Sequence, residues 1–168
     1  MLETDEKLQR ALELAYAYLN RRERTVSEVR RHLESKGTSN ELIESAIETL
    51  SDQGYVSDAR FAELFISDKR ELEQWGSERI KRGLIARGIE RGLAEHALDG
   101  RYGDEPSPGT ELDRAIALLA RRFPAPPRAP RERERALGLL LRKGHDSELA
   151  IDALMAYARG ADLGSSPL

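Results

Sequence analysis

The sequence predicts an all-α protein arranged as a tandem array of three three-helix modules, and three observations carry that expectation. Gly37, Gly88 and Gly144 lie 51 and 56 residues apart, and each sits among apolar residues at matching offsets. Leu33, Leu84 and Leu140 precede the three glycines by four, and Val29 and Ile80 precede the first two by eight. Leu42, Ala46 and Ile47 follow Gly37 by five, nine and ten; Leu93, Ala97 and Leu98 follow Gly88 likewise, as do Leu149, Ala153 and Leu154 after Gly144. Second, β-branched runs that would read as strands are missing throughout. Third, 39% hydrophobic, 34% charged and only 5% aromatic residues match a leucine- and alanine-rich helical protein.

The first module is expected over residues 1–54. Its opening helix, about 6–22, carries Leu8, Leu12, Ala15 and Leu19 on one stripe. Thr25-Val26-Ser27-Glu28 is a capping-box start for a second helix, which Lys36-Gly37 ends. Thr38-Ser39-Asn40-Glu41 starts a third helix, with Ile43, Ala46, Ile47 and Leu50 facing inward. Gly54 then stops that helix with a positive φ, and Asp58 is the expected N-cap of the next, which buries Phe61 and Phe65.

The same grammar runs through a second module, residues 55–99. A helix over about 58–73 breaks at Trp75-Gly76-Ser77, and a basic helix follows with Ile80 and Leu84 inward. Trp75 suits either a staple at this break or a partner contact. Residues 100–110 have the glycine- and proline-rich character of a flexible linker. The third module, 111–160, opens with Leu112, Ile116, Leu119 and Phe123 at the offsets of the first stripe. Phe123 to Pro130 cannot be helical, because four prolines remove amide donors and push the preceding residues out of the helical region. The tail, 161–168, is small and polar, and disorder is expected there.

Several function classes are excluded or disfavoured. No apolar stretch is long enough for a membrane span, the start Met1-Leu2-Glu3-Thr4-Asp5-Glu6 is no signal peptide, and there is no cysteine. A cytoplasmic location is the simplest expectation. His32, His96 and His145 fall in different modules, each near a helix end, without metal-ligand spacing, and are expected at the surface or as caps. No phosphate-cradling glycine loop or nucleophile elbow is present. Ser27, Ser39, Ser77 and Ser147 are helix-start residues. No catalytic residue, cofactor or metal is expected, so the chain is not read as an enzyme.

Net charge is −3 and the pI about 5.7, against a dedicated nucleic-acid binder. The bases nevertheless recur on the second helix of every module: Arg30, Arg31 and Lys36; Arg79, Lys81, Arg82 and Arg87; Arg133, Arg135, Arg142 and Lys143. Arg21, Arg22 and Arg24 cluster before the first of these helices, and Arg60 sits at the second module's start. Arginine grips carboxylates and phosphates with two parallel N–H groups, so the ridge suits an acidic protein surface or a sugar-phosphate backbone. A DNA-reading helix-turn-helix is disfavoured, since Glu41, Glu44 and Glu48 on the following helix would repel phosphate.

Gly54-Tyr55-Val56-Ser57-Asp58-Ala59-Arg60-Phe61-Ala62 resembles the signature stretch of the RecX family, regulators of the RecA recombinase, with Ser57 where a second acid is usual. Arg22-Glu23-Arg24-Thr25, Lys36-Gly37, Gly76, Arg79-Ile80, Leu84 and Arg87-Gly88-Ile89 follow the same family's order. Leu140-Leu141-Arg142-Lys143-Gly144 fits too, although His145 replaces the usual aromatic and the proline-rich insertion is atypical. The resemblance implies an elongated, curved, all-helical monomer that lies in the groove of the RecA–DNA filament. It further implies modulation, mostly inhibition, of recombinase, ATPase and co-protease activity in DNA repair and the SOS response. On that reading Arg21, Arg22, Arg24, Arg30, Arg31, Lys36, Arg60, Arg79, Lys81, Arg82 and Arg87 contact the partner, and single- or double-stranded DNA is touched weakly. An independent nucleic-acid-binding protein and a helical scaffold for another partner are the alternatives.

Overall fold

The computed structural model describes residues 2–100 and 109–164, and these form nine helices and no strand. In chain order they are α1 (Leu2–Leu19), α2 (Val26–Ser35), α3 (Asn40–Asp52), α4 (Asp58–Glu71), α5 (Ser77–Ala86), α6 (Arg91–Leu98), α7 (Glu111–Arg122), α8 (Pro130–Lys143) and α9 (Ser147–Gly164). The expected linker at 100–110 falls mostly on residues outside this description, as does the end of the expected tail. The described part of that tail is helical: α9 runs to Gly164 through Gly160, because one glycine costs a helix only about 1 kcal/mol.

Three separate apolar clusters organise the chain, one per helix triplet. Ala11, Leu12, Ala15, Val29, Leu33, Ile43, Ala46, Ile47 and Leu50 form the first, with Val56 folded back onto it. Phe61, Ala62, Ile66, Ile80, Leu84, Ile89, Ala94 and Ala97 form the second. Ala115, Leu118, Leu119, Ala136, Leu140, Ala150 and Ala153 form the third. Phe65 is only partly buried, at the edge of the second cluster.

The repeat is stricter than the sequence pattern suggests. Residues eight and four before each glycine are fully buried: Val29 and Leu33, Ile80 and Leu84, Ala136 and Leu140. After the glycines, the buried positions are six and nine residues on: Ile43 and Ala46, Ala94 and Ala97, Ala150 and Ala153. The larger Leu42, Leu93 and Leu149, five residues after the glycines, are only partly buried on the flank of each helix. In the second and third modules alanine at both positions lets the third helix approach closely, so bulk moves to the edge of the seam; in the first, Ile43 and Ile47 are buried as well. All three glycines have positive φ, and the amide immediately after each glycine reaches back to Leu33, Leu84 or Leu140, closing the last turn.

Between modules, the second helices stack end to end in the order α8, α5, α2. Gly76 N–H at the start of α5 donates to the Lys143 carbonyl at 2.7 Å, and Glu78 N–H donates to the Gly144 carbonyl at 3.1 Å. The Thr25 hydroxyl at the start of α2 donates to the Arg87 carbonyl, at the end of α5, at 2.8 Å. Each contact sets the amide end of one helix dipole against the carbonyl end of the next. A Cβ on Gly144 would lie 2.1 Å from Arg79 Cβ, and one on Gly88 would lie 2.3 Å from Ser27 Cβ. Gly76 is equally tight, against the Gly144–His145 backbone at 2.4 Å.

A second device repeats at both joints. Ser57, not Asp58, is the N-cap of α4, its hydroxyl accepting from Arg60 N–H at 3.2 Å. Asp58 turns outward and accepts from Val26 N–H, the first amide of α2, at 2.8 Å. One module further on, Thr110 caps α7 and Glu111 accepts from Ser77 N–H, the first amide of α5, at 2.8 Å. Each opening helix thus spends its first acidic residue on the preceding module. The corresponding first residue of α8 is Pro130, which has no N–H to offer; proline belongs there as a helix start, correcting its expected place in the non-helical stretch.

Candidate partner-binding surface

The predicted basic residues divide into those held inside the scaffold and those presented outward. Arg30 grips Glu44 with hydrogen bonds of 3.0 and 3.2 Å, and the guanidinium holds that carboxyl below the usual range. Arg60 grips Glu23 with two bonds of 3.2 Å and donates to the Gly54 carbonyl at 2.9 Å, tying the first module to the second. Arg22 pairs with Glu28 at 3.3 Å, and Lys81 with Glu78 at 3.0 Å. Arg24 lies on the Tyr18 ring, 4.1 Å from its centroid, while His32 stacks against the same ring. Arg21, Arg31, Lys36 and Arg82 are exposed and carry no carboxylate partner among the described residues.

The column of second helices brings three arginines from two modules together. Arg79 and Arg82 of α5 and Arg142 of α8 surround Trp75 and Gly83 on an open surface. Arg79 lies over the indole at 4.1 Å and donates to the Arg142 carbonyl at 3.1 Å. Lys69 approaches the indole at 4.7 Å and the Phe65 ring at 5.5 Å, and Arg87 lies over Phe65 at 5.1 Å. Phe65 itself meets Trp75 edge-on, with centroids 6.4 Å apart. Gly83 makes room for this: a Cβ there would sit 3.0 Å from the Phe65 ring. Trp75 therefore serves as a staple, and its charged neighbours form part of the surface.

Beside this patch runs a groove of about 420 Å³ lined by the apolar Phe61, Leu64, Phe65 and Leu72, the cations Arg22, Lys69 and Arg87, and the acids Glu23, Asp68 and Glu73. Leu72 is 79% exposed and Leu64 47%. Sequence reasoning missed Lys69, Leu64 and Leu72. Leu64 and Lys69 sit on α4 and Leu72 is its C-cap, outside the repeated basic helices, and only the folded groove places them beside the ridge. Of the stacked cations, Lys69 is paired with Glu73 and Arg79 is held by the Arg142 carbonyl, while the apolar groove adds contact area beside them.

His145 departs from its expected surface place. It is 5% exposed, and its Nδ1 lies 3.0 Å from Glu111 Oε1 in the joint between α5 and α7. Burial by itself would raise the Glu111 carboxyl, but the hydrogen bonds from His145 and Ser77 outweigh it and bring the pKa down to about 2. Among the described residues no group of three or more His, Cys, Asp or Glu side chains is placed to hold a metal ion, and no helix is long and apolar enough to cross a membrane.

A tandem array of three-helix units, each with its own apolar cluster, belongs to the class of modular all-α proteins. The family model for the first three-helix domain of RecX matches residues 11–50, and that for the second matches residues 57–98. A regulatory protein RecX from Chromohalobacter salexigens is 36% identical over 86% of this chain and 90% of its own length. One from Trichlorobacter lovleyi is 33% identical over 80% of this chain and 87% of its own. This chain belongs to the RecX family of regulatory proteins. The crystal structure of RecX from Lactobacillus salivarius superposes with a TM-score of 0.77 over 91% of this chain and 97% of that one; at 23% identity it speaks for the fold alone.

Proposed function

We propose that this protein modulates the RecA recombinase by lying in the helical groove of the RecA–DNA filament and bridging neighbouring subunits. It acts as a monomer in the cytoplasm, with no chemistry, cofactor or metal of its own, and mostly damps strand exchange, ATP hydrolysis and co-protease activity. The modules at 1–54, 55–99 and 111–160 are the units of this clamp. Each weak contact gains effective concentration once its neighbour has bound. The observation that supports the reading best is the convergence of Arg79, Arg82 and Arg142 from two modules on one open surface.

The test uses Arg82→Glu combined with Arg142→Glu, two exposed side chains outside the carboxylate pairs that hold the scaffold. Folding should change by only tenths of a kcal/mol, since exposed helix charges contribute little. Suppression of RecA ATP hydrolysis should weaken by about tenfold or more, because charge-assisted contacts typically contribute more than about 1 kcal/mol each. Unchanged suppression by a folded double variant would remove this surface from the interface. Tight, steeply salt-dependent binding to bare single strands would favour the nucleic-acid reading instead.

A further inference from the structure

The stacking of second helices has a direction, and its last member ends in solvent. At the end of α8, the Lys143 and Gly144 carbonyls receive the first amides of α5, and Gly144 has no space for a side chain. At the end of α5, the Arg87 carbonyl receives the Thr25 hydroxyl, and Gly88 is equally confined by Ser27. The same surface recurs at the end of α2, with Lys36 in the place of Arg87 and Lys143. There Lys36 and Gly37 are exposed, and a Cβ on Gly37 would meet nothing within 4 Å.

We propose that this end of α2 is a docking surface for the first turn of an α-helix on a protein partner, continuing the column by the contact already made twice within the chain. The occupant's chemistry is set by those two contacts. Both helices that dock this way begin with a small or hydroxyl N-cap, Thr25 or Gly76, and carry an acid in the first turn, Glu28 or Glu78. The receiving end presents Arg31 and Lys36, with Glu34 as the one acid in the last turn of α2. A second copy of this chain is a poor occupant. Its one helix start in the column outside such a contact is that of α8, which has Ala129 as N-cap, without a side-chain cap, and Pro130 as first residue.

The inference rests on the proposed RecA reading, since the filament supplies the partner helix. Gly37→Asn and Lys36→Glu test it in the full-length protein, with RecA filaments on single-stranded DNA as the probe. Asparagine tolerates the positive φ better than other side chains, and the exposed position leaves it free of internal clashes. Both variants should melt close to wild type and bind filaments about tenfold more weakly, equivalent to about 1.4 kcal/mol. If wild type binds and both folded variants bind equally well, the docking surface is wrong and the RecA reading stands. If wild type itself fails to bind, the RecA reading falls, and this inference with it. Concentration-dependent sedimentation of wild type that Gly37→Asn abolishes would assign the surface to a second copy and overturn the proposed occupant.

Discussion

Asp58 Oδ1 accepts the first amide of α2, Val26 N–H, at 2.8 Å across 32 residues of sequence. The residue that starts one module's opening helix thereby completes the helix start of the module before it. Replacing it leaves a half-buried donor without its acceptor, so Asp58→Ala should cost about 1–2 kcal/mol in urea melts. Burial raises the Asp58 carboxyl above its usual range, so the ionised form is held at some expense. Asp58→Asn keeps an acceptor without the charge and should lose much less than the alanine variant at neutral pH.

Phe61 is 6% exposed within the second cluster. Phe61→Ala should therefore cost roughly 3–5 kcal/mol by the usual penalty for deleting a buried ring. Urea melts showing less than about 1 kcal/mol would mean that the second core closes around the gap.

Glu111 supplies a pH dependence. Its folded pKa of about 2 lies below the ordinary 4.5, so its stabilisation is fully present above about pH 4.5 and is lost as pH falls toward 2. The loss should reach about 3 kcal/mol across that window, and Glu111→Gln should flatten it. Parallel acid melts of the two proteins read the difference directly.

The three glycines should respond differently to alanine. Gly37→Ala meets only the backbone strain of positive φ, about 1–2 kcal/mol. Gly88→Ala and Gly144→Ala add collisions with Ser27 and Arg79 and should cost clearly more, while opening the joint to limited proteolysis. Equal effects at all three positions would mean that the stacked ends separate freely.

The helices and their glycine ends were legible because both follow from local chemistry: capping residues, 3.6-residue spacing, and a φ that glycine adopts most readily. Roles set across the joints were not. Ser57 and Asp58 both suit an N-cap, and only the position of Val26 decides between them. His145 looked like a surface residue because its partner, Glu111, lies 34 residues earlier. The ridge was legible as composition, but which arginines face outward was not. Glu44 and Glu23 engage Arg30 and Arg60, and the sequence carries no mark of either pairing.

The three cores never merge; the joints between them consist of polar contacts and close backbone packing. Folding therefore has no need to wait for the last residue. The first triplet holds its buried apolar residues between Ala11 and Val56, so it can close while the rest of the chain is still being synthesised. Asp58 follows two residues later, and with it the carboxylate that secures the α2 start. Each later triplet should then condense onto a finished neighbour, and a chain arrested between modules should already bury its first apolar cluster.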